Sequence, residues 1–303
     1  IERRSLAVSS GESLFRNDSG ILCVRALALA DGREVGLPAQ KVFWNYDIAA
    51  NGESMLTEPN VNGSGIAFSR GEAIAFGIYE CIERDALLLH WFLRITPPRI
   101  DPESIDDEEV KVLLDAAKRK GLEVYILDIT SDISVPAYLV AFVGEKPRAV
   151  SLGSSANLNP ISAIRHAFHE AWGNYILNSI IAEKPGLLES SDSAAKERYR
   201  LWHAPSAFSQ FSFLLEGDLA PLKRREYSGD ELKTLKAIFA NRGFGVSFYE
   251  SGHGLLKELG LYAAKAVIPQ LIPFYFREEN ARFAIGHPRL AGRIRNSFPH
   301  PFA

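Results

Sequence analysis

An α/β fold (α+β), built as a single domain with internal pseudo-symmetry, is predicted by three observations. Of 303 residues, 47% are hydrophobic and 23% charged, the balance of a chain with a substantial core. A helix–strand–loop–strand pattern occurs twice, over about 106–143 and about 229–268. No linker separates two independent cores.

Along the chain, 21–30 (ILCVRALALA) predicts a strand, Asp31-Gly32 a turn and 34–44 a second, proline-limited extended run. The glycine- and asparagine-rich 50–65 predicts a loop. Ser69, with Glu72 three residues on, forms a capping box that starts a long helix reaching about Arg94, where Pro97-Pro98 ends it. A charged helix (about 106–120) leads to strands 122–128 and 135–143. Asn157-Leu158-Asn159-Pro160 introduces a helix over 160–182. Mixed charge, serine and proline predict an irregular surface insert over 184–218. The echo of the earlier pattern then runs through helix 229–241 and strands 244–250 and 262–268. The tail, 286–303, shows no periodicity.

Several classes of function are excluded. No apolar run approaches the ~18 residues of a membrane span. A net charge of −3 argues against a general nucleic-acid binder. Two cysteines, Cys23 and Cys81, make neither a disulfide framework nor a zinc site and fit a reducing cytoplasm. There is no GxxxxGK[ST] phosphate loop.

The most informative segment is the first long helix. At 100° per residue, Glu80 lies about 80° and Glu83 about 20° from Glu72, so three carboxylates share a stripe that Arg84 borders. Nearly everything else from Ala73 to Leu89 is apolar, which predicts a helix buried on most sides. Carboxylates in that setting must be paired, protonated or bound to a cation. One reading is a buried ion-pair network that orients the helix. The other is a hard-metal site, since magnesium takes oxygen ligands and keeps phosphate oxygens as partners, and the arginine adds a phosphate donor. Helix spacing alone does not choose. Glu2-Arg3 repeats the Glu83-Arg84 dipeptide, and Arg165 precedes Glu170 on the later helix, where a solvated face is the commoner explanation.

Together these residues resemble the YcaO family, whose signature ends in E-x-x-E-R on a buried helix. Here it stands as Glu80-Cys81-Ile82-Glu83-Arg84-Asp85, preceded by Asn62-Gly63-Ser64-Gly65-Ile66-Ala67 and by Glu72. Further likenesses are the run Leu127–Pro136, Asn157–Pro160 with Ala163, Arg165, Ala167, Glu170 and Ala171, and Ala266-Val267-Ile268-Pro269. They place the resemblance over the whole chain, as one 1–303 domain lacking its N-terminal segment. The opening Ile1-Glu2-Arg3-Arg4 is similar to the end of the family's first E-x-x-E-R helix, whose leading glutamate would lie ahead of Ile1.

The resemblance implies a cytoplasmic, ATP- and Mg2+-dependent cyclodehydratase acting on peptide backbone amides. A Cys, Ser or Thr side chain attacks the preceding carbonyl, the oxygen is phosphorylated, and loss of phosphate leaves a thiazoline or oxazoline. Such chemistry serves the maturation of ribosomally made peptides (RiPPs) such as bacteriocins. Carried over, Glu2, Glu72, Glu80 and Glu83 hold the metal. Arg3, Arg84 and Arg165 join the nucleotide set, with Glu170 in support. The ending Phe298-Pro299-His300-Pro301-Phe302-Ala303 resembles the proline-rich tail of azoline-forming members, which puts Pro301 and Ala303 at the catalytic end; the plainer alternative is a loose chain terminus. Implied partners are a precursor peptide, a leader-peptide-binding protein, a flavin-dependent azoline dehydrogenase and a second copy in a homodimer.

The chain departs from the family pattern at Phe68-Ser69, where Gly-Asn is usual, at Gly173, where glutamine is usual, and at its final alanine. Two alternatives therefore stand beside the azoline reading. One is another chemistry of the same family: thioamide formation, amidine formation or a ribosomal-protein-linked housekeeping role. The other is a non-catalytic scaffold subunit. His166 with His169, Cys81, His253 and the tryptophans Trp91, Trp172 and Trp202 are read as structural.

Overall fold

The computed structural model describes residues 14–144, 150–189, 193–203, 207–223 and 229–302. In chain order the strands are β1 (Phe15–Arg16), β2 (Leu22–Ala28), β3 (Glu34–Pro38), β4 (Ser64–Ala67), β5 (Arg99–Ile100), β6 (Glu123–Asp128), β7 (Ala137–Val143), β8 (Val150–Ala156), β9 (Leu219–Ala220), β10 (Ser247–Glu250) and β11 (Tyr262–Val267). The helices are α1 (Ala39–Val42), α2 (Arg70–Leu93), α3 (Glu108–Arg119), α4 (Pro160–Glu183), α5 (Gly186–Glu189), α6 (Ser193–Trp202), α7 (Ala207–Phe211), α8 (Glu231–Asn241), α9 (Gly254–Glu258) and α10 (Ala281–Ile285). They fall into two compact units: 1–84 with 228–275 and 279–289, and 85–227 with 276–278 and 290–303. Each unit carries one copy of the helix–strand–strand echo, α8-β10-β11 in the first and α3-β6-β7 in the second.

The first unit is an antiparallel sheet in the order β1-β2-β10-β11-β4, with β3 also paired to β2. Asp31-Gly32 turns β2 into β3, and Gly32 takes the φ of +74° that glycine tolerates without strain. The extended run expected over 34–44 stops at Pro38, where α1 begins. The loop expected over 50–65 ends instead in β4, held from Tyr262↔Ala67 to Lys265↔Ser64 by β11. Ser-Gly-Ile-Ala has little strand character of its own, so hydrogen bonds to β11 decide its conformation. Glycine is required there because a Cβ on Gly65 would lie 2.1 Å from the Ala73 carbonyl oxygen, and one on Gly77 2.3 Å from that of Gly63. These close approaches seat α2 against the 60–67 segment.

The second unit is a sheet in the order β8-β7-β6-β5-β9. Every residue of β7 is buried, as expected of a central strand with both faces covered. Helix α4 lies along β8, where a Cβ on Gly153 would sit 2.2 Å from the Ala167 carbonyl oxygen. Its start is capped by Asn159, whose Oδ1 accepts from Ile161 N at 2.9 Å, with Pro160 in the first turn. Val140, Phe142, Ile164 and Phe168 are among the buried side chains of this core.

The 184–218 segment corrects the expectation of an irregular insert. It forms α5, α6, α7 and a 3-10 turn over Ser212–Leu215, and buries Phe211, Phe213 and Leu214. The tail is likewise fixed rather than loose. Trp91 Nε1 donates to the Phe298 carbonyl oxygen at 2.8 Å, Phe302 packs edge-on to Trp91, and Arg198 donates to the carbonyl oxygens of His300 and of Phe276.

Candidate functional site

Helix α2 begins as its sequence predicts. Ser69 Oγ donates to Glu72 Oε2 at 2.8 Å and accepts from Glu72 N at 3.3 Å. Glu72 is therefore an exposed first-turn carboxylate. Two turns on, the helix sinks into the unit. Glu80 is partly buried, and its Oε2 accepts from the backbone N–H groups of Gly63 at 2.9 Å and Ser64 at 3.1 Å. Its Oε1 takes no hydrogen bond from the described residues. Burial pushes the Glu80 carboxyl above its ordinary pKa; Arg84, Lys265 and the two N–H groups oppose that rise.

Glu83 is buried, with Arg84 Nε 3.6 Å from its Oε1. The Arg84 guanidinium lies over the Phe274 ring, 4.7 Å from its centroid, a cation–π contact that helps hold it. The structure thus brings Glu80, Glu83 and Arg84 together and leaves Glu72 at the helix start. Among the described residues no three His, Cys, Asp or Glu side chains gather into a metal-holding group. Glu2 and Arg3 lie outside the described residues.

Sequence reasoning missed Lys265. It is buried on β11, and its Nζ donates to the Asn60 carbonyl oxygen at 2.7 Å. Asn60 is itself fixed: its Nδ2 donates to the Phe274 carbonyl oxygen at 3.0 Å and its Oδ1 accepts from Asn62 N at 3.0 Å. The available signal was a lone lysine in the apolar run Tyr262–Val267, a charge that burial obliges to find an acceptor. Burial pulls the Lys265 pKa down from 10.5 to about 8, with Cys81 and Glu80 opposing. A lowered folded-state pKa means that the unfolded chain binds more protons between about 8 and 10.5, so stability rises with pH across that window. Chemical unfolding at pH values through the window is expected to show this slope in the natural chain and to show less of it in Lys265→Met; equal slopes would contradict the assignment.

In the second unit Arg165 is engaged. Its Nε donates to Asp107 Oδ1 at 3.0 Å, Nη2 pairs with Asp107 Oδ2, and Glu109 lies 3.2 Å from Nε. Asp107 also caps α3 by accepting from Val110 N at 3.1 Å, and the Arg165 hydrogen bond holds its carboxyl below the usual range. Arg165 thereby ties α4 to the start of α3, a more specific role than a solvated helix face. Glu170 Oε2 accepts from Ser154 N at 2.6 Å, binding α4 to β8. His169 pairs with Glu109 rather than His166, His253 caps α9 by accepting from Leu255 N, and Cys81 is buried with Sγ 3.7 Å from the Ala266 carbonyl oxygen. Pro301 is half-buried between the buried His300 and Phe302, and Ala303 lies outside the described residues.

The donor chemistry fits a hard divalent cation at one point, Glu80 and Glu83. They present oxygen donors three residues apart on one helix, and one of those oxygens is without a hydrogen bond among the described residues.

Comparison with known proteins gives the same direction. Residues 3–272 match the family model described as YcaO cyclodehydratase, ATP- and Mg2+-binding. An uncharacterized protein of Methanothermobacter thermautotrophicus is 26% identical over 285 residues, which are 90% of this chain and 69% of that protein. Among solved structures, a heterocyclase in complex with substrate and cofactor superposes with a TM-score of 0.75 at 21% identity over 95% of this chain. The E. coli microcin synthetase McbBCD complex with pro-MccB17 bound superposes with a TM-score of 0.63 at 21% identity over 83% of this chain. At these identities the superpositions establish the fold. The chain spans 39% of the heterocyclase and 64% of the microcin synthetase chain.

Proposed function

The chain belongs to the YcaO family of ATP- and Mg2+-binding proteins, and from that premise we propose that it phosphorylates backbone amides of a ribosomally made precursor peptide, closing thiazoline or oxazoline rings on Cys, Ser or Thr. The observation that carries the reading is the Glu80–Glu83–Arg84 constellation, in which one Glu80 oxygen takes no hydrogen bond from the described residues. An amide oxygen is a very poor leaving group, and phosphorylation converts it into a good one. Mg2+ supplies charge neutralisation on the transferring phosphoryl group.

In this reading Glu80 and Glu83 hold the metal, and Glu72 and Glu2 complete its carboxylate set. Arg84, held over Phe274, meets phosphate oxygens. Arg3 joins the nucleotide set. Arg165 is a further phosphate contact, and its Asp107 pair must open before Nε and Nη2 can reach a second anion. Glu170 supports by locking α4. Pro301 lies in a tail that Trp91 and Arg198 already anchor, which limits the entropy lost when a peptide is positioned there, and Ala303 joins it as the proposed catalytic end. The domain reading is one YcaO-like domain, 1–303. The proposed partners are the precursor peptide, a leader-peptide-binding protein, a flavin-dependent azoline dehydrogenase and a second copy. Among the described residues no helix is long and apolar enough to cross a membrane, and the proposed location is the cytoplasm.

The test is mass spectrometry of a Cys- and Ser-containing precursor after incubation with the full chain, its leader-binding partner and Mg-ATP. Loss of one water per ring with release of phosphate is the expected result. Replacement of oxygen by sulfur would move the reading to thioamide formation. An unchanged peptide and unconsumed ATP would leave the scaffold reading.

A further inference from the structure

A cavity of about 240 Å3 lies within the first unit and shares Phe274 with the Arg84 site, while none of Glu72, Glu80 and Glu83 lines it. The residue that α2 contributes to its wall is Cys81. At 100° per residue Cys81 stands about 180° from Glu72 and about 160° from Glu83 around the helix. Two polar groups on the cavity wall lack partners. Lys41, on α1, has no acceptor and no ion-pair partner among the described residues. Asn62 Oδ1 is buried and takes no hydrogen bond.

The rest of the wall narrows the chemistry. Glu58 adds a buried carboxylate and His287 a ring whose Nε2 is already engaged at 3.1 Å by the Pro269 carbonyl oxygen. Leu271 and Phe274 make one side apolar. An unpaired cation calls for an anion, and an unpaired buried acceptor calls for a donor. The apolar side calls for hydrocarbon. The volume is below the roughly 300–1,000 Å3 usual for drug-sized ligands, so the occupant is smaller than a nucleotide. Burial holds the Lys41 ammonium below its ordinary pKa, which a bound carboxylate would reverse.

We propose that this cavity binds a free apolar α-amino acid as its zwitterion: carboxylate on Lys41, ammonium on Asn62 Oδ1, side chain against Leu271 and Phe274. The site goes beyond the proposed peptide chemistry, and its test needs no nucleotide, so either reading can fail alone.

The experiment is isothermal titration of the full chain with L-leucine, L-leucinamide, acetate and inorganic phosphate, without ATP. Saturable heat is expected with leucine only. Lys41→Met is expected to weaken leucine binding at least about tenfold, and Lys41→Arg to retain it. Unfolding curves without ligand report whether each variant folds; if Lys41→Met does not, the leucine–leucinamide comparison in the natural chain decides. No heat with millimolar leucine overturns the proposal. So does leucinamide, acetate or phosphate binding as tightly as leucine, or a folded Lys41→Met variant that binds leucine unchanged.

Discussion

Glu83→Gln is expected to abolish ATP turnover, by at least about 100-fold, while the chain stays folded. Glutamine keeps the shape and one acceptor oxygen but removes the charge that a hard divalent cation draws from its ligands. Glu83 is 8% exposed, with Arg84 as its near neighbour at 3.6 Å, so the substitution leaves the guanidinium with one counter-charge fewer. Arg84 keeps its place over Phe274, and the cost in stability is expected to be about 1–3 kcal/mol. Glu72→Gln is the informative control. That carboxylate is exposed, and its bond from Ser69 survives the change, so a smaller loss of activity is expected. Phosphate release with Mg-ATP, run beside thermal unfolding, checks both. Full ATPase and full ring formation in folded Glu83→Gln would sink the metal assignment.

The largest expected loss of stability is at Trp91. Its side chain is fully buried in the second unit, with Trp202 at 5.4 Å, Phe213 at 5.7 Å and Phe302 at 6.2 Å between ring centroids. Its indole N–H also fixes the Phe298 carbonyl oxygen. Trp91→Ala removes the ring on which the insert and the tail converge, opens a cavity and orphans that acceptor. About 3–5 kcal/mol is expected to be lost in urea unfolding followed by far-UV circular dichroism. Trp44→Ala, at a residue 63% exposed, is expected to change stability by less than about 0.5 kcal/mol. A loss below about 1 kcal/mol at Trp91 would mean that the aromatic cluster does not organise the second unit.

Much of the architecture was legible locally. Helix α2 announced itself through Ser69, Glu72 and an apolar circumference, and α4 through Asn159-Pro160. Strands β6, β7 and β10 announced themselves through β-branched and aromatic residues, and β11 through its place in the repeated helix–strand–loop–strand pattern. Other elements carried no such mark. Strand β8 is Val-Ser-Leu-Gly-Ser-Ser-Ala, with small residues because α4 lies so close that Gly153 has no room for a Cβ. Strand β4 is small for the same reason, with Ala73 and Gly77 of α2 pressed against it. Phe211, Phe213 and Leu214 follow no period, since they answer to the position of Trp91 rather than to one face of a long element.

The site divides in the same way. The sequence by itself determined that Glu80, Glu83 and Arg84 share a helix and one side of it, because 3.6 residues per turn is a local property. It also determined that the surroundings are apolar, and hence that these charges must be answered. Only the tertiary structure decided what answers them. Gly63 and Ser64 take one oxygen of Glu80, Phe274 lies under Arg84, and Lys265 acts on Glu80 from a strand distant in the chain. Arg165, by contrast, is drawn to Asp107 and the start of α3. A charge buried in a medium of low dielectric is governed by the nearest groups in space. Which groups those are depends on how remote segments pack, and helix periodicity holds no record of that.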